Sequence, residues 1–148
     1  MGFTEAVRTV LTQKYATFSG RASRSEFWWF QLFFWLAVMG LALVAGFMGA
    51  FSNRQDGNTT GETAFFVIGG LLWLAVILPQ TSLQVRRFHD RNISGWWYLA
   101  LFVANMIPYL NIVSGIVLLA ISVTRGTEGP NRFGPDPLRP EAIAEVFA

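Results

Sequence analysis

Three stretches of this chain contain no Asp, Glu, Lys or Arg: Phe27 to Asn53, Thr63 to Val85 and Asn92 to Thr124. They run for 27, 23 and 33 residues, so 83 of the 148 positions are charge-free and every charge falls in the other 65. About 20 consecutive apolar residues are enough to cross a bilayer core of about 30 Å. A soluble domain carries about a quarter charged residues. Here the charged fraction is 14%, the hydrophobic fraction 53% and the mean hydropathy +0.41. The pattern excludes a soluble globular enzyme and a disordered chain. It predicts an all-α fold: one small helical integral membrane domain over residues 1–140, with residues 141–148 as a C-terminal tail.

The first 18 residues are not a span. Phe3, Val7, Val10, Leu11 and Phe18 fall near helical spacing, which predicts an amphipathic helix over 3–18, lying in the membrane interface or packed on the rest of the protein. The first apolar run is too long and starts too late for a secretory signal core and reads as an uncleaved span. It starts with Ser23-Arg24-Ser25-Glu26, a capping-box pattern, and runs over about 24–51. Trp28 and Trp29 sit where an indole, apolar with one N–H, favours the water boundary. Ala42, Gly46 and Ala50 form a ladder of small residues along it, and Asp56-Gly57-Asn58 marks a turn after it.

The second span is expected over about 63–85. Pro79 within it should free a carbonyl, and Gln80, Thr81 and Gln84 add polarity. Arg86 to Arg91 is the densest charged stretch, and Ser94 is a plausible cap for the helix after it. Trp96 and Trp97 repeat the boundary signal. The last apolar run would be about 45 Å long as one helix, which overshoots the bilayer core. Asn105, Pro108, Tyr109 and Asn111 lie in its middle. A break near Pro108 gives two short helices, 95–107 and 110–124, forming a hairpin, for four membrane helices in all. Gly126 reads as a helix C-cap, and 125–140 is a Gly/Pro-rich segment.

Basic residues fix the orientation. Arg8, Lys14, Arg21 and Arg24 precede the first span, and Arg86, Arg87 and Arg91 follow the second. Only Arg54 lies between those spans. The N-terminus is therefore expected in the cytoplasm. The hairpin returns Arg125, Arg132 and Arg139 to the same side, which places the C-terminus there too.

Three motifs stand in order along the chain. They are Phe18-Ser19-Gly20-Arg21-Ala22-Ser23-Arg24-Ser25-Glu26-Phe27-Trp28, then Arg86-Arg87-Phe88-His89-Asp90 with Ser94-Gly95-Trp96-Trp97, then Gly126 to Pro137 (GTEGPNRFGPDP). In this order and spacing the chain resembles the domain-of-unknown-function 805 family, the YhaH-like bacterial inner-membrane proteins. The resemblance covers about Tyr15 to Pro137. Phe88 stands where that family often has Leu. It implies a multi-pass protein of the bacterial cytoplasmic membrane with no established activity, so it carries no catalytic residue across.

On the expected topology the three motifs meet at one cytoplasmic boundary. They bring Arg21, Arg24, Arg86, Arg87, Arg91 and Arg132 near Glu26, Asp90 and Asp136, with His89 and Asn131. A lattice of Arg–carboxylate pairs that closes the tail onto the helices follows from this, and it would hold the helices in register. The six basic against three acidic residues leave positive charge for an anionic lipid headgroup or another phosphate, with Arg86 and Arg87 as the residues to neutralise in a test. A protein partner or a homo-oligomer also fits such a surface. Nucleic acid does not, because no basic stripe interleaves with aromatics on a soluble surface. Catalysis is the least favoured class: His89-Asp90 has no nucleophile motif beside it, and one His with no Cys gives no multi-ligand metal site and no expected cofactor. Transport by an oligomer stays open as an alternative, although the spans lack charged residues.

Overall fold

The computed structural model describes residues 1–51 and 60–139, and among these the regular structure is helical apart from one isolated bridge between Asn131 and Gly134. The elements are α1 (Phe3–Arg8), α2 (Arg24–Phe51), α3 (Thr60–Asp90), α4 (Trp96–Ala104) and α5 (Leu110–Val123), with a π-helical turn over Thr9–Gln13 after α1. The turn expected at Asp56 to Asn58 and the tail after Arg139 lie outside the described residues.

Two helices are long and apolar enough to cross a membrane, over Arg24–Phe47 and Phe65–Asp90, and α5 is a shorter apolar helix. Their large side chains face outward: Leu43 is 67% exposed and Phe66 73%. Such outward apolar faces suit hydrocarbon as solvent, where every backbone polar group must be satisfied within the helix. Gly46 has open space where a side chain would stand, whereas Gly69 on α3 faces Leu41 of α2. Among the glycines described, the α2–α3 contact is therefore at Gly69, off the expected small-residue ladder.

The core lies at one end of the molecule. Val10, Ala22, Phe27, Phe30 and Leu83 form it, with Leu11, Phe33 and Val76 against it. The N-terminal segment packs here. Ala6, Thr9 and Val10 are buried, while Phe3 meets the edge of Trp29. The α-helix expected over 3–18 stops at Arg8. The chain widens into the π turn and then leaves the helical path at Lys14 (φ −126°). That departure delivers Tyr15 to Pro79. Proline has no N–H, so the carbonyl of Ala75, four residues earlier, lacks its helical donor. The Tyr15 hydroxyl donates to it instead. The single Ser82 hydroxyl on α3 lies within donating distance of the carbonyls of Lys14 and Tyr15, at 3.2 and 3.3 Å.

The second long helix does not end at Val85 as expected. It runs on through Arg86, Arg87, His89 and Asp90, because those side chains find partners on other elements and need not reach water. After it, Asn92 takes a left-handed turn (φ 59°). Gly95, not Ser94, is the N-cap of α4, with no side-chain cap bond. Helix α4 ends at Ala104, short of the expected 107, and Tyr109 turns the chain with φ 67°. Ser114 ties the two arms by donating to Asn105 Oδ1 at 3.3 Å. At the far end Gln84 on α3 reaches Ser122 on α5 at 3.4 Å. The result brings the end of α5 back beside the end of α3.

Candidate functional site

The start of α2, the end of α3 and the segment after α5 meet at that one end. Asp90 is the hub. Its Oδ1 accepts from Arg21 Nε at 2.9 Å, and its Oδ2 accepts from Arg87 Nη1. Both arginine side chains are essentially without solvent contact. Two buried guanidinium groups thus share one carboxylate. The remaining donors go to backbone. Arg21 Nη1 and Nη2 donate to the carbonyls of Gly129 and Thr127, at 2.6 and 2.5 Å. Arg87 donates to the carbonyls of Ala22, Ser122 and Thr124. Two of those lie at the end of α5, where helical carbonyls have no intrahelical partner and a cation is favoured.

The segment after α5 docks on Asp90 by its backbone as well. Thr127 gives its N–H (2.8 Å) and its hydroxyl (3.1 Å) to the Asp90 carbonyl. Asn131 Nδ2 donates to the His89 carbonyl and to Thr127 Oγ1, both at 2.9 Å, while its Oδ1 takes the Phe133 N–H. Gly126 does not cap α5 with a left-handed turn; α5 ends at Val123, and a side chain on Gly126 would collide with the Asp90 carboxylate. Gly129 (φ +71°) and Gly134 (φ +135°) supply the left-handed turns. Asp136 closes the loop by accepting from the N–H groups of Gly129 and Leu138, at 3.2 and 2.9 Å. Desolvation pushes its carboxyl pKa up, but those two amides and the charges of Arg21 and Arg139 outweigh this and hold it below its ordinary value.

His89 stacks on Phe133, with ring centroids 3.9 Å apart and planes 4° from parallel. Its Nδ1 lies 3.2 Å from the Gly20 carbonyl. A carbonyl only accepts, so Nδ1 carries the proton and Nε2 is left as an acceptor. The Arg132 guanidinium lies 4.6 Å from the Phe133 centroid and donates to the Asn92 carbonyl. Arg91 donates to the Arg125 carbonyl. Ser23 caps α2 as expected, accepting from the Glu26 N–H at 3.2 Å. The other half of the capping box is replaced. The Glu26 carboxylate accepts from Arg86 Nη1 at 2.5 Å, with both side chains buried. Arg86 Nε and Nη2 are buried without a partner among the described residues.

Of the residues the sequence singles out, the structure joins Arg21, Arg87, His89, Asp90, Asn131 and Asp136 in one bonded network, with Arg91 and Arg132 at its edge and Arg86–Glu26 as a separate pair. Arg24 is exposed on the first turn of α2. Trp28, Trp29, Trp96 and Trp97 stand exposed around this end, Trp96 at 78%. Sequence reasoning missed Tyr15, Ser122, Thr127 and Phe133. Only the tertiary fold shows that an unpaired carbonyl, or the face of His89, lies opposite them. A cleft of about 510 Å³ opens beside the network, between Ser23, Arg24, Ser25 and Trp28 on one side and Arg125, Glu128, Leu138 and Arg139 on the other. Arg125 pairs with Glu128 at 3.1 Å in solvent. Arg24 and Arg139 make no ion pair among the described residues.

The family model for a protein of unknown function, DUF805, matches residues 15–135, and the chain belongs to that family. The chain is 36% identical over 125 residues to the inner membrane protein YhaH of Escherichia coli K12, covering 84% of this chain and 90% of YhaH. It is 35% identical to the inner membrane protein YhaI of the same strain, over 84% of this chain and 89% of that one. The uncharacterized protein YiiR, also of that strain, is 30% identical over 139 residues, 81% of this chain and 85% of YiiR. These relatives place the chain among bacterial inner-membrane proteins. No solved structure matches it.

Proposed function

We propose that this DUF805 member is a structural and interaction protein of the cytoplasmic membrane whose cytoplasmic face engages anionic lipid headgroups. The observation that carries the reading is the division of its arginines. Arg21, Arg86 and Arg87 are buried and committed to Asp90, Glu26 and backbone carbonyls. They hold the helices and the following segment in register. Arg24 and Arg139 are exposed, make no ion pair among the described residues, and border the cleft at the start of α2. The positive end of the α2 dipole adds to their field. Headgroup binding belongs to these exposed residues and not to Arg86 and Arg87.

The membrane arrangement fits the same reading. Helices α4 and α5, of 9 and 14 residues, are about 14 and 21 Å long at 1.5 Å per residue, below the 30 Å of a bilayer core. They form a hairpin that enters from the cytoplasmic side and returns, so that all four apolar helices lie in the membrane and both termini stay in the cytoplasm. A reporter enzyme fused after Ala148 should be active only in its cytoplasmic form; activity on the opposite side would refute this topology.

Each basic residue near an anionic surface contributes about 1 kcal/mol. Replacing Arg24 and Arg139 together with Gln should therefore cost about 2 kcal/mol, a roughly thirty-fold loss in affinity of the detergent-solubilised protein for added phosphatidylglycerol at low salt. Unchanged binding by a folded double variant sinks the headgroup reading.

A further inference from the structure

A second cavity, of about 880 Å³, lies between α3 and α4. We propose that it seats one acyl chain of a phospholipid from the cytoplasmic leaflet. This site is separate from the headgroup cleft.

The shape is the first argument. Along α3 the cavity runs from Trp73 past Ile77 and Val85 to His89. The sixteen helical rises from Trp73 to His89 are about 24 Å. One leaflet of a core about 30 Å thick accounts for about 15 Å of that, and the rest reaches the headgroup level. Leu99 and Phe102 of α4 form the facing wall. The volume lies within the usual range of about 300 to 1,000 Å³ for built ligand sites.

Polarity is graded along this length, which is the second argument. The deep end is aromatic and aliphatic. The shallow end has His89, Ser94 and Phe133, at the level where Arg132 stands over the Phe133 ring. That order is the order of a phospholipid. His89 Nε2 takes no hydrogen bond from the described residues and would stand about 3.3 Å from a side-chain carbon added at Gly95. The missing side chain of Gly95 keeps that end clear. An added carbon there would also meet Val85 at 2.6 Å.

The surroundings choose the occupant. Trp73, Ile77 and Gln80 belong to the part of Phe65–Asp90, a helix long and apolar enough to cross a membrane, that lies below the headgroup level. A peptide strand entering here would bring backbone N–H and C=O groups that the apolar walls do not satisfy. An acyl chain brings none. Gln80 gives a test of sign, because its Oε1 is buried without a partner among the described residues, part-way along the cavity. Next to a plain hydrocarbon chain that acceptor is a liability.

The experiment uses the full chain in phosphatidylethanolamine/phosphatidylglycerol vesicles with a trace of phosphatidylcholine carrying a mid-chain diazirine. After irradiation, peptide mass spectrometry should find label at Ile77 and Val85 as well as at outward Leu71 and Leu74. Ile77→Trp should abolish label at Val85 and leave Leu71 unchanged. Leu99→Trp makes the same test from α4 if the first variant does not fold. Gln80→Leu should keep or raise the label at Val85. Label confined to Leu71 and Leu74 overturns the proposal. So does a loss of label at Val85 in Gln80→Leu, since the occupant would then need a donor at that depth.

Discussion

Replacing Asp90 with Asn tests the central network at constant shape. The carboxylate accepts from Arg21 and Arg87, both of which it leaves buried if its charge is removed. An amide presents one oxygen and one NH2. It can accept from one arginine only and turns a donor toward the other. At least one charge-assisted hydrogen bond, each about 1.5–3 kcal/mol, is lost, and a guanidinium stays buried without its counter-charge. Breaking a buried pair in this way costs about 3–5 kcal/mol. Arg21 also holds the Thr127 and Gly129 carbonyls, so the cost falls on the docking of residues 125–136. Cleavage of a segment that opens and closes rapidly follows its open population. A cost of about 3 kcal/mol therefore raises tryptic cleavage after Arg132 about a hundred-fold. The assay is limited proteolysis of the detergent-solubilised protein, with thermal unfolding in parallel. The double variant Asp90→Asn/Arg21→Gln should lose less than the sum of its singles, since the two groups are in contact. Cleavage and unfolding both unchanged from the parent in Asp90→Asn would refute the hub.

Gly126→Ala should free the same segment, because the added carbon collides with the Asp90 carboxylate; unchanged protease resistance would show that the approach is not tight. Arg87→Lys keeps the charge but gives up the planar fork that reaches Asp90 and three carbonyls, so unfolding should move to a lower temperature by about as much as in Arg87→Met, and recovery by Lys would mean that charge alone matters. Arg86→Met strands Glu26 and should cost about 3–5 kcal/mol, whereas Arg86→Met/Glu26→Leu should recover most of it, because two donors of Arg86 are already buried unpaired. Asp136 has a folded pKa below its unfolded value, so its contribution is complete above the unfolded pKa of about 4 and is lost as pH falls through the folded one. Protease resistance of the segment should weaken with acid in that window, and Asp136→Asn should be weaker at neutral pH and flatter against pH.

Much of this end of the molecule is legible in the sequence, and what is not has a common cause. Charge-free runs predict the long helices, and Asn105 with Pro108 predicts the break between α4 and α5, because both rest on local polarity and length. The gathering of the three motifs follows from topology. The partition of the arginines does not. Arg86 and Arg24 each stand close to a charge-free run, at its end and its start, yet Arg86 is fully buried and Arg24 exposed. The extension of α3 to Asp90 is illegible for the same reason: a run of four ionisable residues reads as the water-facing end of a span unless their partners on other elements are known. Tyr15 shows the converse. Pro79 announces a free carbonyl at Ala75, but the residue that answers it is 60 positions away.

The chain has ten arginines and one lysine, and the network explains what that bias is for. The segment after α5 is rich in Gly and Pro and has almost no regular backbone bonding of its own. Beside a membrane its carbonyls need donors, since an unpaired buried carbonyl costs as much as a lost hydrogen bond. The C-terminal carbonyls of α5 have the same need. Arg21 and Arg87 each bring five N–H donors on a rigid plane. Between them they reach Asp90 and the carbonyls of Ala22, Ser122, Thr124, Thr127 and Gly129. One carboxylate for two arginines is too few for a lattice of ion pairs. It suffices when the guanidinium groups chiefly serve as donors to irregular backbone and Asp90 fixes where they point. The cluster thus clamps non-helical chain between the ends of α2, α3 and α5, and Arg24 and Arg139, which make no ion pair among the described residues, are the ones the proposed function assigns to a headgroup.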